Sequence, residues 1–317
     1  METVCADLYR ARFIRGFCHL YTGQEAVATG IEAILKPQDS VITSYRCHAF
    51  VYTRGESIKD IISELLGRKN GVSKGKGGSM HMYTRNFYGG NGIVGAQVPI
   101  GTGIAFAHKY KGDDGVCFDL YGDGAANQGQ VFESFNMAKL WNLPVIFVCE
   151  NNKYGMGTSQ ERSSASFAYY KRGDYIPGLQ VDGMDVLAVR EASQFCANFC
   201  RSGKGPILME TVTYRFGGHS MSDPGTTYRT RDEVQQMRIS KDPILSLKEK
   251  LLGVGIITET YFNELQNTIK KEVETAVEEA KASEEPETDA LFQDVYVKYL
   301  DSEIRGCDAF SYHSISS

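Results

Sequence analysis

An α/β fold with a mostly parallel central sheet flanked by helices, extended by helix at the C-terminus, is what this sequence predicts. Three observations carry it. First, apolar runs at 116–120 and 144–149 read as strands, and between them Val131, Phe135, Ala138 and Trp141 share one face of a helix. Strands joined in that way lie parallel, with both C-terminal ends on one edge of the sheet. Second, each strand end runs into a polar motif: Y-G-D-G-A-A-N-Q-G-Q at 121–130 and E-N-N-K-Y-G-M-G at 150–157. Asp123 and Asn152 therefore converge where open α/β sheets bind ligands. Hard oxygen donors suit Mg²⁺, which keeps positions for phosphate and water, and glycines beside Asp123 let a diphosphate approach the backbone. Third, 317 residues, 42% of them hydrophobic, are enough to bury one large core with an appendage.

Composition excludes several classes. A net charge of -5 leaves no nucleic-acid footprint, and no apolar run approaches the length of a membrane span. The eight cysteines form no C-x-x-C pair, and Cys117 and Cys149 lie inside apolar strands, so reduced core thiols are expected. The six histidines have no zinc-ligand spacing with them. At the N-terminus Val4, Leu8 and Arg12 follow helical spacing; Arg10, Arg12 and Arg15 are mixed with Glu2 and Asp7, which makes a poor transit peptide.

In chain order, 24–35 reads as a helix with Val27, Ile31, Ile34 and Leu35 on one face, and 41–43 as a short strand followed by Tyr45, Arg46 and His48. From its position Arg46 reads equally as a surface cation or a ligand contact, and His19 alone reads as a core or turn histidine. Ile58, Ile61, Ile62, Leu65 and Leu66 mark a helix ended by Gly67. The glycine-rich, basic stretch at 71–82 fits no Walker pattern and reads as a flexible surface loop. Gly101-x-Gly103 lacks the third glycine of a dinucleotide fingerprint and follows no strand. A helix at 185–201 and an apolar strand at 206–214 lead into a polar loop of about 17 residues holding His219 and Ser220, a length that is usually functional or mobile. Past Pro243, Tyr261, Leu265, Ile269, Val273 and Val277 recur every four residues, which predicts a long amphipathic helix packed on the domain or a partner, with an acidic linker at 282–288. The division expected is 1–243 for the α/β domain and 244–317 for a helical and irregular extension.

G-D-G and N-N stand 26 residues apart, alongside R-G-F-C-H-L, T-S-Y-R-C-H, G-K-G-G-S-M-H-M, N-F-Y-G-G-N-G-I-V-G-A-Q-V-P, E-N-N-K-Y-G-M-G-T-S and G-H-S-M-S-D-P-G. With these runs the chain resembles, from about residue 18 to 243, the alpha subunits of the thiamine diphosphate-dependent 2-oxo acid dehydrogenases. G-K-G-G-S-M-H-M looks like the pyruvate-using group; branched-chain or acetoin dehydrogenases are the nearest alternative.

The resemblance implies a thiamine diphosphate-binding fold and an oxidoreductase that decarboxylates pyruvate and passes the acetyl group to the lipoyl domain of dihydrolipoyl acetyltransferase, giving acetyl-CoA in the whole complex. It implies thiamine diphosphate and Mg²⁺ as cofactors, with Asp123, Asn152 and the Tyr154 carbonyl on the metal. Tyr45 and Arg46 would contact the diphosphate, where an arginine can give two parallel hydrogen bonds, as would Gly124 and Ala125. Gly92 and Val94 match positions at the aminopyrimidine and thiazolium, although Val94 also suits core packing. His19 and His219 would be catalytic, donating to carboxylate or oxyanion or carrying protons, since imidazole titrates near neutrality. Ser220 matches the principal inhibitory phosphorylation site and Ser159 a second, and Thr227 replaces the usual serine of a third. The implied partners are a beta subunit in an alpha2-beta2 heterotetramer, supplying the glutamate that acts on the aminopyrimidine, and a regulatory kinase and phosphatase. The implied place is the mitochondrial matrix. The chain departs from the family at Gly217, where a histidine is usual, which bears on loop order and activity. A folded but inactive binding-only subunit is the reading that departure favours. A nucleotide-binding switch protein is disfavoured by the missing phosphate loop.

Overall fold

A computed structural model describes residues 1–295, 303–306 and 308–314. In chain order the elements are α1 (Glu2–Arg10), α2 (Glu25–Glu32), β1 (Ser40–Ile42), α3 (His48–Thr53), α4 (Ile58–Leu65), α5 (Gln97–Lys111), β2 (Cys117–Gly122), α6 (Gly129–Leu140) and β3 (Val145–Asn151). There follow β4 (Tyr154–Gly155), β5 (Thr158–Ser159), α7 (Gln160–Ser163), β6 (Gly178–Asp182), α8 (Val186–Phe199) and β7 (Ile207–Val212). The chain continues through α9 (Arg231–Lys241), α10 (Pro243–Gly253) and α11 (Glu259–Ala282) to a hairpin of β8 (Glu303–Arg305) and β9 (Tyr312–Ser314).

Five strands form one sheet in the order β1-β2-β3-β7-β6, every neighbour parallel. The inner strands are buried on both faces, which is why their sequences are nearly unbroken apolar runs rather than alternations. Alternate residues feed two cores. Phe118, Leu120, Ile146 and Val148 pack with residues of α1, α2, α3, α4 and α8, while Tyr121, Val145, Phe147 and Cys149 pack with residues of α5 and α6. Both faces of the inner strands are therefore covered, while the edge strand β6 keeps one face toward solvent.

Several expectations change. The edge strand β6 reads G-L-Q-V-D and alternates in exposure, so no apolar run announces it. Trp141 is not on the buried face of α6: the helix ends at Leu140, its phase stops there, and the indole lies 44% exposed with its ring 5.7 Å from Phe106. Gly101 and Gly103 lie inside α5; a Cβ on Gly101 would sit 2.4 Å from Asp119 Oδ2, so close helix–strand packing accounts for that glycine. Only the second half of the α11 stripe is used: Val273, Ala276, Val277 and Ala280 join the core, whereas Tyr261, Leu265 and Ile269 are half-exposed. The acidic stretch after it is no free linker, because Glu284 and Glu285 pair with Lys69 and Arg68.

The glycine-rich loop is ordered rather than flexible. It closes round the buried Glu64 carboxylate, which accepts backbone N–H bonds from Ser73, Gly75, Gly77 and Gly78 at 2.7–3.0 Å. The anion this loop cradles is the protein's own. The seven described cysteines are free and buried, and Cys307 lies outside the described residues. Among the described residues no helix is long and apolar enough to cross a membrane.

Candidate functional site

Parallel strands put β1, β2, β3 and β7 C-terminal ends on one edge, so the residues that follow them meet there. After β1 come Tyr45 and Arg46; after β2, Asp123 and Gly124; after β3, Asn152; after β7, Arg215. The loops beyond β2 and β3 touch: a Cβ on Gly124 would lie 3.0 Å from Gly155 Cα, so this approach needs glycine. The turn after β3 is tight. Asn151 Oδ1 accepts the Lys153 N–H at 3.1 Å, and Asn152 Oδ1 that of Tyr154 at 3.3 Å, both local side-chain-to-backbone turns. Lys153 and Met156 take left-handed φ values of 72° and 57°, strain of the kind that clusters at functional sites.

These residues line an inner cavity of about 240 Å³ that includes Tyr45, Arg46, Val94, Asp123, Gly124, Ala125, Asn152, Tyr154 and Arg215. Tyr45, Val94, Met156 and His219 also border an outer cavity of about 580 Å³, which carries His19, Gly92, Ser220 and Thr227. Ser159, at the end of β5, borders neither.

The inner cavity is electrostatically incomplete. Asp123 is buried with no partner for Oδ2, and burial pushes its carboxyl up to about 6, against the pull of backbone amides and Arg215. Arg46 and Arg215 are buried too, and their donors go to neutral acceptors: Leu20 O and His219 O for Arg46 (2.5 and 2.9 Å), Tyr154 O, Met156 O and Tyr228 Oη for Arg215 (3.0–3.3 Å). Burial and Arg215 hold the Arg46 guanidinium down to about 10, still charged at neutrality. A buried carboxylate oxygen without a partner, facing buried cations that no carboxylate bonds, fits a divalent cation bridged to a polyanion. Asp123, Asn152 and Tyr154 line this one cavity, bringing oxygen donors of the hard kind to the same wall, and among the described residues no cluster of three His, Cys, Asp or Glu could hold a metal.

His19, Tyr45 and His219 form a ring cluster, with centroids 4.4 Å (His19–Tyr45), 5.1 Å (His19–His219) and 5.4 Å (Tyr45–His219) apart. Nδ1 of each histidine is buried without a partner. Titration near neutrality does not hold here. Burial, then Arg46, lowers His19 to about 3 and His219 to about 4, so both are neutral imidazoles at physiological pH, each with one N–H to donate.

The polar loop is closed by Asp223, whose carboxylate accepts His219 N–H (2.6 Å), Gly225 N–H (2.8 Å) and Tyr228 O–H (2.5 Å). Ser220 is buried and reaches only Ser222 Oγ, at 2.8 Å, so it is not the loop's cap. Gly217 is not conformationally required: the nearest atom to an added Cβ is Thr22 Oγ1 at 3.7 Å. Its carbonyl accepts from Arg215 Nε and Arg229, so the loop is ordered with glycine there.

Three lining residues escaped the sequence reading. Gln24 accepts from Asn152 Nδ2 at 2.9 Å, and Glu150 accepts from the Tyr21 hydroxyl and from Gln24 (3.4 Å), with burial raising its carboxyl to about 7. Arg215 follows β7 just as Arg46 follows β1, and the same strand-end rule would have found it.

A profile of the dehydrogenase E1 component matches residues 1–289. The chain is 62% identical over 300 residues to "Pyruvate dehydrogenase E1 component subunit alpha, mitochondrial" of Saccharomyces cerevisiae, covering 94% of this chain and 71% of that protein. It is 58% identical over 308 residues to the mitochondrial somatic form of the same subunit in Homo sapiens (97% and 79% covered), and 57% over 317 residues to that of Bos taurus (100% and 81%).

Proposed function

This chain belongs to the dehydrogenase E1 component family, and from that premise we propose that it is the alpha subunit of a mitochondrial, thiamine diphosphate-dependent pyruvate dehydrogenase, working with a beta subunit. The observation that carries the site is the unpartnered Asp123 oxygen facing Arg46 and Arg215 at the sheet edge. Asp123, Asn152 and the Tyr154 carbonyl would hold Mg²⁺; Arg46, Arg215, Tyr45, Gly124 and Ala125 would hold the diphosphate. Gly92 and Val94 would flank the thiazolium and aminopyrimidine. When bound, thiamine diphosphate supplies the electron sink for decarboxylation of pyruvate. His19 and His219, kept neutral by burial and arginine, would each donate an imidazole N–H to the substrate's carboxylate or oxygen.

Asp223 is the outer cavity's carboxylate, and its oxygens are committed to His219, Gly225 and Tyr228; Glu150, on the inner side, is bonded to Tyr21 and Gln24. The carboxylate that acts on the aminopyrimidine would come, as the family resemblance implies, from the beta subunit in an alpha2-beta2 assembly. The acetyl acceptor would be the lipoyl domain of the acetyltransferase. Ser220, Ser159 and Thr227 would be the sites of a regulatory kinase and phosphatase. A phosphate on Ser220 would add about -1.5 to -2 charge beside His219 and displace Ser222.

The test is release of labelled carbon dioxide from pyruvate. The chain copurified with a beta subunit, thiamine diphosphate and Mg²⁺ should turn over, and the chain alone should be silent. Turnover by the chain alone would refute the split site; silence of the full assembly would refute the activity.

A further inference from the structure

We infer that Glu2, His48 and Ser79 form a buried relay that positions His19 for the reaction, an inference that rests on the role given to His19 above. His48 opens α3, is fully buried and bonds through both ring nitrogens: Nδ1 lies 3.1 Å from Glu2 Oε2 and Nε2 lies 2.9 Å from Ser79 Oγ. Burial alone would raise the Glu2 carboxyl, but the His48 imidazole and the Tyr21 amide outweigh it, so Glu2 is held ionised. An ionised carboxylate only accepts, so the Nδ1 that faces it carries a hydrogen. Nε2 on the other side of the ring shares a hydrogen bond with the Ser79 hydroxyl, whose oxygen accepts the His19 backbone N–H at 3.3 Å.

The same carboxylate holds the far side of that segment, because Glu2 Oε1 accepts the Tyr21 N–H at 3.0 Å. Between them the Leu20 carbonyl accepts Arg46 Nη1 at 2.5 Å. Residues 17–20 have no regular secondary structure, so no ladder fixes them. His19, Leu20 and Tyr21 are instead fixed in turn from the glycine-rich loop, from Arg46 in the segment before α3, and from α1. Ser79 is itself held, because that loop is closed on Glu64 by four backbone N–H bonds. The stretch G-K-G-G-S-M-H-M thereby gains a role: its glycines let the loop wrap a carboxylate and present one hydroxyl to the His19 backbone.

The carboxylate–imidazole–hydroxyl order is not a nucleophile site. Ser79 is buried and borders neither cavity, so nothing reaches its oxygen. Glu2, His48 and Ser79 are positioning residues: they act through His19, whose ring must stay against Tyr45 and His219.

A double-mutant cycle in the alpha–beta assembly tests this, with pyruvate turnover, cofactor affinity and thermal unfolding read on each variant. Ser79→Ala should lower kcat about 10- to 100-fold, the cost of a small misplacement, with KM and thiamine diphosphate affinity nearly unchanged. Ser79→Thr, which keeps the hydroxyl, should restore most of it. In a His19→Ala background Ser79→Ala should cost nothing more, because the relay acts only through that residue. Glu2→Gln keeps the shape but removes the charge that holds His48 Nδ1; it should show the same kcat loss and the same silence on His19→Ala, and it carries the test if Ser79→Ala does not assemble. Additive losses in the His19→Ala background, or Thr no better than Ala, would show a merely structural role and overturn the relay. If His19→Ala alone leaves kcat intact, the role given to His19 fails first, and the relay with it.

Discussion

The two ends of one parallel sheet use the same residue types to opposite purpose. At the N-terminal end the buried Asp39 is fully engaged: Oδ1 accepts Val116 N–H at 3.1 Å, and Oδ2 accepts Lys36 N–H at 2.7 Å and the Arg201 guanidinium. His108 has both nitrogens bonded, to Ser40 Oγ at 2.8 Å and Asp113 Oδ1 at 2.6 Å. At the C-terminal end Asp123 Oδ2 and Nδ1 of His19 and His219 are buried with nothing bonded to them, and two buried arginines meet only neutral acceptors. Buried polar groups are normally satisfied, and Asp119 in the middle of β2 and Arg54 Nε beside Asp39 are exceptions too, but only at the C-terminal end do the unpartnered carboxylate and imidazoles line cavities, which marks that end as the one shaped to receive a ligand. One end holds the fold together; the other keeps its charges available.

That contrast separates affinity from stability. Asn152→Ala should weaken Mg²⁺-dependent thiamine diphosphate binding by more than about 100-fold, since even residues behind a metal ligand cost about 10–100-fold. Its melting temperature should fall little, because the side chain's partners are Gln24 and a turn amide. Equal affinity in wild type and variant would remove Asn152 from the site. Asp39→Ala, at the other end, should do the reverse. It strands the Arg201 cation and two N–H groups, a loss of about 3 kcal/mol of unfolding free energy in denaturant titration, with cofactor affinity unchanged. A shift in affinity there would mean that the two ends are coupled.

The smallest effect belongs to Asp113. Burial pushes its carboxyl up, but the Gly115 amide and the His108 imidazole outweigh it, and the net shift is below the ordinary value of 3.8. A depressed carboxylate adds stability that is complete above its unfolded value and is lost as pH falls through the folded one. Asp113→Asn should therefore be less stable than wild type at about pH 7, by less than about 1 kcal/mol because the site is partly solvated, with the gap closing as pH falls below the ordinary carboxylate value of 3.8. A gap that stays constant across that range would assign the effect to packing.

The sequence speaks clearly where one signal is local. The β2–α6–β3 unit is legible because apolar runs bracket a helical stripe and end in G-D-G and N-N. β6 is not, because an edge strand with one solvated face can be polar at alternate positions. Asp123 and Asn152 are legible as strand-end residues; Arg215 answers to the same rule, but it opens a polar loop that reads as surface although the side chain is buried. The 71–82 stretch looks mobile because glycines and lysines usually are; nothing local shows that Glu64, on the preceding helix, fills it. Glu2, His48 and Ser79 lie on three separated stretches, and only tertiary structure joins them.

The central claim, that the C-terminal edge keeps Asp123 unpartnered for a metal and its diphosphate, is tested most directly by one substitution. Asp123→Asn keeps the side chain's size and removes its charge. Calorimetric titration of thiamine diphosphate with Mg²⁺ into the copurified alpha–beta assembly should give no detectable binding for the variant at concentrations that saturate wild type. Its melting temperature without cofactor should equal or exceed wild type, because a costly buried carboxylate has been relieved. Wild-type affinity in Asp123→Asn, or a clear loss of stability without cofactor, would contradict the account.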